Sequence, residues 1–377
     1  MRVAIITLPL HTNYGGILQA YALKKAVESL GHTAEVLDRK CKLVLPPSWK
    51  MPLVYVKRTA QNVVALKKVR EVFRERRIMR ELPYVGTHLL RFIGTGISPR
   101  EIDGFDEIGM GEYDAFIVGS DQVWRPKYFG KIEDTFLAFT RDWPVKRIAY
   151  AASFGTEQLE YTYEQLESCS ALLHKFDAVS VRESGAVALC DEWFDCEEVS
   201  HVLDPVMLLQ ADAYRKIASE SSERPAKGKL LTYVLDRDMT KDFVIEKVKG
   251  WLSCDVHDAF VDERNGDIPV QNRIVPSMEQ WLSCFIDAEF VVTDSFHGTL
   301  LSILFHKPFI ALGNPKRGMS RLLSILEAFG LQDRLIHGID SEDDGEYYVS
   351  GIDWDAVEDK LKSYREDSFE FLRKSLK

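Results

Sequence analysis

Short apolar runs alternate with stretches of helical periodicity along nearly the whole chain. Residues 2–7 read as a strand and 17–30 as a helix closed by Gly31. Residues 34–37, 114–118, 147–151 and 178–181 continue as strands, and a short one at 202–203 ends on Asp204 and Pro205. A second series begins near Lys229. It predicts strands at 230–235, 259–260, 290–293 and 309–312, with helices at 239–254, 278–287, 299–305 and 317–330 between and after them. Residues 354–376 form a charged helix with an apolar stripe. Such alternation makes mostly parallel sheets covered on both faces. The expected fold is α/β, with two Rossmann-like lobes. Residues 1–204 form the first, with a basic helical insertion over about 41–110, and residues 205–377 form the second. The polar stretch 219–229 is a linker or exposed loop, and the last helix is expected to pack back on the first lobe.

Composition narrows the class. A chain 46% hydrophobic and 28% charged is a globular protein. No apolar run nears the ~20 residues that cross a bilayer. The opening MRVAIITLPL reads as a strand rather than a signal peptide, so a cytoplasmic protein is expected. Six scattered cysteines without a C-x-x-C pair favour reduced thiols over a disulfide frame or a zinc site. The nine histidines are dispersed, and the acid pairs Glu197–Glu198 and Asp343–Asp344 read as solvated surface, so no metal site is expected. A net charge of −10 argues against nucleic acid as a partner. Residues 57–80 run the other way, with nine Lys/Arg against two Glu, a local +7 beside −17 for the remainder. Val63, Leu66, Val69, Val72 and Phe73 recur there at roughly helical spacing. One reading is a solvated helix with its apolar side on the body. The other is a lid, or a contact with anionic substrate or lipid that would hold the protein at the inner face of the membrane.

Ligands of open parallel sheets gather at the carboxyl ends of the strands, so the loops there carry the candidate chemistry. In HTNYGGILQAYAL, Asn13, Gly15 and Gly16 precede a helix whose free N–H groups can hold an anion; a plain tight turn is the alternative. In GSDQVWRP, Ser120, Asp121, Gln122 and Trp124 stand at a sheet edge, and helix capping by Ser120 or Asp121 is the plainer reading. AASFGT supplies small residues, Ser153 among them, that allow close approach. VSVRES puts Arg182 at a strand end, as a surface ion pair or as a clamp on a carboxylate or phosphate, with Ser184 capping the next helix. In TDSFHGTLL, Asp294 or Ser295 would cap a helix and put His297 in its first turn, beside Gly298. A histidine there can donate to a phosphate or shuttle a proton; a purely structural ring is the alternative. No G-x-S-x-G elbow, G-x-G-x-x-G or Walker loop occurs.

Taken in order, NYGGILQAYAL, DAFIVGSDQVW, IAYAASFG, AVSVRESGA, LDPVMLL, LLTYVL and AEFVVTDSFHGTLLSILFHKPFIAL resemble the polysaccharide pyruvyl transferase family over residues 13 to about 330. The resemblance implies a GT-B-like fold and phosphoenolpyruvate as co-substrate, with no cofactor or metal. It implies a glycan acceptor, lipid-linked if the basic segment meets membrane, that receives pyruvate as a ketal across two hydroxyls. The family's motif histidine falls on His297 and its strand-end arginine on Arg182. His297 is thereby expected to contact the donor phosphate and transfer a proton, and Asp121 to serve the acceptor side. Trp124 stacks on a sugar or is an ordinary packed tryptophan. Where many members carry an arginine two residues before the histidine, this chain has Ser295. Lys316, Arg317 or Arg321 would replace that cation, or the donor differs. The alternatives are a GT-B glycosyltransferase, with Glu327 or Asp333 on a nucleotide ribose, and a non-catalytic sugar- or anion-binding protein.

Overall fold

The computed structural model describes residues 1–40, 51–64, 71–314, 318–339, 345–349 and 351–377. Cys41, Leu66, Val69, Lys316, Arg317, Asp343 and Asp344 lie outside the described residues. The first sheet holds β1 (Arg2–Ile6), β2 (Thr33–Arg39), β3 (Arg100–Ile102), β4 (Ala115–Val118), β5 (Lys146–Ala152), β6 (Ala178–Val181) and β7 (Val199–His201). Their order is β3-β2-β1-β4-β5-β6-β7, parallel throughout. The second holds β8 (Leu230–Tyr233), β9 (Val256–Asp258), β10 (Phe290–Thr293), β11 (Phe309–Leu312) and β12 (Leu335–Ile336), in the parallel order β12-β11-β10-β8-β9.

Strand period decides where each side chain goes. Along β1, Val3 and Ile5 enter one core while Ala4 and Ile6 enter another on the opposite face. The first of these cores is continuous into the second lobe through Leu231, Trp281 and Val291. Tyr14 marks the crossing: its ring stacks on Trp281 at 4.6 Å and its hydroxyl donates to the Pro276 carbonyl at 2.6 Å.

The structure differs from the pattern at several element ends. β7 and β9 end just before the apolar pairs 202–203 and 259–260. Val202 N–H still bonds Val181 and Ala259 N–H still bonds Thr232, so each pair continues the ladder by one bond and then turns into the core. The helices Tyr14–Ser29 and Phe296–Leu304 both start three residues earlier than their apolar runs. Each first turn holds one aromatic residue, Tyr14 or Phe296, followed by glycine or histidine, too few apolar positions to carry a period.

The helix Trp354–Ser375 reaches both lobes. Trp354 stacks on His306 of the second at 5.0 Å, and Phe371 meets Tyr150 of the first at 6.1 Å. Between them Arg365 donates to the Met207 carbonyl at 2.9 Å, and Leu203 N–H to Ser368 Oγ at 3.0 Å. The helix Arg74–Val85 of the insertion makes a second tie, through Glu81 to Arg273 at 2.8 Å and the Val85 carbonyl to Val275 N–H at 2.9 Å.

Leu372, on the inner side of the terminal helix, is fully buried. Leu372→Ala is expected to destabilise the protein by about 2–5 kcal/mol, read as a lower urea midpoint. An unchanged midpoint would show that this helix contributes nothing to holding the lobes.

Candidate functional site

The carboxyl ends of β1, β4, β8 and β10 open on a cleft of about 1540 Å³ between the lobes. That exceeds the roughly 300–1,000 Å³ of a single-ligand pocket and leaves room for two substrates. Asn13, Gly15, Gly16, Asp121 and Gln122 line it from the first lobe, and Asp294, Ser295, His297 and Arg321 from the second.

His297 sits in the first turn of Phe296–Leu304, where Ser295 is the cap and its Oγ accepts from Gly298 N–H at 3.4 Å. The imidazole lies against Gly15 so closely that a Cβ on Gly15 would stand 2.1 Å from Nδ1. Only glycine lets the helix of one lobe meet the histidine of the other. Nε2 is buried without a hydrogen bond, 3.8 Å from Asp204 Oδ2. Burial pushes the His297 pKa down; Asp204 and Asp121 oppose this, while Arg182 and Arg321 add to it. The ring is therefore uncharged near neutral pH.

Arg182 lies beneath the cleft wall, with its side chain 1% exposed. Its Nη1 donates to Asp204 Oδ2 at 2.8 Å, Nη2 stands 3.6 Å from Asp121 Oδ1, and Nε 3.7 Å from Glu183 Oε1. Arg182 is thus no surface ion pair and is not among the residues lining the cleft: Nη1 bonds Asp204, while Nε and Nη2 are enclosed beside Glu183 and Asp121 without a hydrogen bond. Burial works against its charge, but Glu183, Asp204 and Asp121 outweigh burial and raise its pKa. Burial likewise opposes a charged Asp121, yet the cations Arg182 and Arg321 prevail and hold its carboxyl low.

Arg321 supplies a cation at the cleft itself. Its guanidinium lies 5.7 Å from the Phe296 ring centroid, and Arg182 lies 4.5 Å from the same centroid. Burial and the charge of Arg182 lower the Arg321 pKa to about 10. A cation disfavoured by its own surroundings gains most from an incoming anion.

Other expected positions play structural parts. Trp124 is fully buried, stacked on Phe136 at 5.1 Å, and meets no cleft. Ser120 Oγ donates to the Ala151 carbonyl at 2.8 Å, and Ser153 Oγ donates to Glu183; both are buried. No helix directly succeeds β4, so neither Ser120 nor Asp121 is a cap; Asp121 takes φ +68°, which Asp tolerates. Ser184 makes no side-chain cap bond. Gly298 packs on Thr293, where a Cβ would meet Oγ1 at 2.4 Å. Asp294 accepts from Leu235 N–H (2.6 Å), Asp236 N–H (3.1 Å), Lys241 Nζ (2.7 Å) and Asn314 Nδ2 (2.9 Å), so it fastens the β8 and β11 loops. Glu327 and Asp333 do not line the cleft. Among the described residues, no group of three or more His, Cys, Asp or Glu is placed to hold a metal.

Sequence reasoning missed Asp204, Glu183 and His11. Asp204 lies within the LDPV stretch as a cap, accepting from Val206 N–H at 3.0 Å, which hides its second role. His11 lines the cleft, and its Nδ1 accepts from Thr12 N–H at 2.6 Å, a bond that requires an unprotonated Nδ1. Burial, then Arg264, push its pKa down to about 4.

A profile described as polysaccharide pyruvyl transferase matches residues 13–316. No curated protein matches the chain. Among solved structures, Arabidopsis thaliana UGT89C1 complexed with UDP-L-rhamnose aligns over 99% of this chain and 98% of its own, with 8% identity and a TM-score of 0.50. The glycotransferase of kitacinnamycin aligns over 98% and 95%, with 13% identity and a TM-score of 0.45. The likeness to UGT89C1 is one of fold: two α/β lobes with parallel sheets in a GT-B-like arrangement.

These charges can be tested at two residues. Removing one partner of a buried ion pair strands the others, so Arg182→Ala is expected to cost about 3–5 kcal/mol in urea unfolding; wild-type stability would show that the carboxylates need no counter-charge. For His11, folded and unfolded chains are both neutral above pH 6.5, and below it the unfolded chain takes a proton that the folded chain refuses until about pH 4. Stability contributed by His11 is thus full above pH 6.5 and falls towards pH 4, by on the order of 3 kcal/mol at most. His11→Asn keeps an acceptor for Thr12 N–H and should flatten that part of the profile; parallel wild-type and variant curves would refute a neutral His11.

Proposed function

This chain belongs to the polysaccharide pyruvyl transferase family, and we propose that it moves pyruvate from phosphoenolpyruvate onto a sugar of a glycan precursor as a ketal. The observation that carries the reading is one wall of the cleft, where His297, the start of its helix and Arg321 stand together. Phosphoenolpyruvate brings a phosphate and a carboxylate, the groups a helix N-terminus and a guanidinium accept. Arg321 takes the place of the cation that Ser295 does not supply.

The uncharged state of His297 belongs to the empty cleft. A phosphate placed beside it raises its proton affinity, so the ring becomes an imidazolium as the donor binds. It can then deliver that proton to the vinyl methylene carbon, which becomes the methyl group. A sugar hydroxyl attacks the adjacent carbon, phosphate leaves with its oxygen, and a second hydroxyl closes the ketal. The protons released by the two hydroxyls restore the acid and accompany the phosphate. Asp121, held ionised across the cleft, is placed to take the hydroxyl proton. Arg182, Asp204 and Glu183 position these groups from below.

Titration calorimetry tests the donor. Phosphoenolpyruvate is expected to bind saturably, and His297→Ala and Arg321→Ala each to weaken it about 10- to 100-fold, the loss of one charged hydrogen bond. UDP- and GDP-sugars are expected to give no heat. Binding of a nucleotide sugar alone would overturn pyruvyl transfer in favour of glycosyl transfer.

A further inference from the structure

The helix Met51–Val64 turns an apolar side to solvent. Leu53, Val56 and Val63 are 64%, 66% and 66% exposed. With the exposed Ala60 they recur at spacings of three and four, one stripe along the helix. Phe73 stands beside the stripe, 53% exposed, its ring edge-on to Tyr55 at 4.8 Å. Tyr55, Val56, Ala60, Val63, Val72 and Phe73 line a shallow groove there that is apolar almost throughout. In a water-soluble body such a stripe normally faces the core.

Charge indicates what covers it. Lys57, Arg74, Arg76 and Arg80 are exposed in the same two helices, in a chain whose net charge is −10. The more enclosed cations are matched within the protein: Arg58 pairs with Glu75 at 2.6 Å and Arg77 with Glu71 at 2.7 Å. Of the outer ones, Arg80 touches Glu81 at 3.4 Å and keeps its side chain 78% exposed. An apolar stripe collared by cations is the pattern of a helix lying in the headgroup layer of an anionic bilayer, its apolar side towards the acyl chains. The same helix begins at the cleft, since Met51 lines it. A bilayer under the stripe would bring its headgroups to the cleft mouth.

We infer that the Leu53–Val56–Ala60–Val63 stripe and its basic collar seat the protein on an anionic membrane surface. The consequence that the glycan acceptor is presented on a lipid rests on the proposed pyruvyl transfer; the seating itself does not.

Co-sedimentation with vesicles tests it, comparing pure phosphatidylcholine with an equal mixture of phosphatidylcholine and phosphatidylglycerol. The wild type should bind the anionic vesicles and not the neutral ones, more weakly as salt rises. Leu53→Asp/Val56→Asp/Val63→Asp and Lys57→Glu/Arg80→Glu should each lower binding at least about tenfold. The inference is overturned by failure to bind either vesicle or by variants that bind like wild type. It is also overturned if wild type self-associates in sedimentation velocity and the triple variant does not, because a second copy then covers the stripe. Phosphoenolpyruvate heats separate the two claims and report the triple variant's folding. Wild-type heats in the triple variant show that it is folded; for the wild type, heats with failed vesicle binding remove only the membrane seat, and vesicle binding without any such heat removes only the donor assignment.

Discussion

The site depends on one buried cation. Arg182 is enclosed at the junction of the lobes with Asp121, Glu183 and Asp204 around it. Taking a guanidinium from water is costly, and only close carboxylates offset that cost. Those carboxylates come from the ends of different strands, so satisfying the arginine fixes the loops after β4, β6 and β7 relative to one another. Asp204 extends the constraint: it caps the turn Pro205–Met207, receives Ser120 Oγ at 3.3 Å and stands 3.8 Å from His297 Nε2. The geometry at the second lobe's histidine is thereby referred to the first lobe's sheet.

Contact between the lobes at this point is direct. Gly15 lies against the His297 ring, Tyr14 stacks on Trp281, and Ser184 N–H donates to Ser324 Oγ at 2.9 Å. Cleft residues come from both lobes, so a change in lobe spacing alters His297 and its neighbours together. The terminal helix, spanning from His306 to Tyr150, restrains that spacing without lining the cleft.

Much of the fold was legible because β-strands of buried parallel sheets are continuous apolar runs. β10 and β11 lie where those runs predict, residue for residue. β3 and β12, of three and two residues, were not legible, since edge strands that short carry no period. In the site, the strand-end rule picked out Asn13, Gly15, Gly16, Asp121 and His297, and these meet at one cleft. It could not tell a residue facing the cleft from one just beneath it. Arg182 and Trp124 show why: both come soon after a strand, and only tertiary burial puts one among carboxylates and the other among aromatic rings. Asp204 and Glu183 escaped notice because they act through Arg182, a partner that sequence spacing does not reveal.

The exchange at Ser295 has a consequence for ionic strength. A serine there caps the helix, leaving the positive character of this end of the cleft to backbone dipoles and the buried Arg321. Enclosed charges are screened little by dissolved ions, whereas the exposed cations of the 51–64 and 74–85 helices are screened strongly. If the proposed donor site and membrane seat both hold, they would part company as salt rises: the protein would come off an anionic surface while its cleft still held an anion.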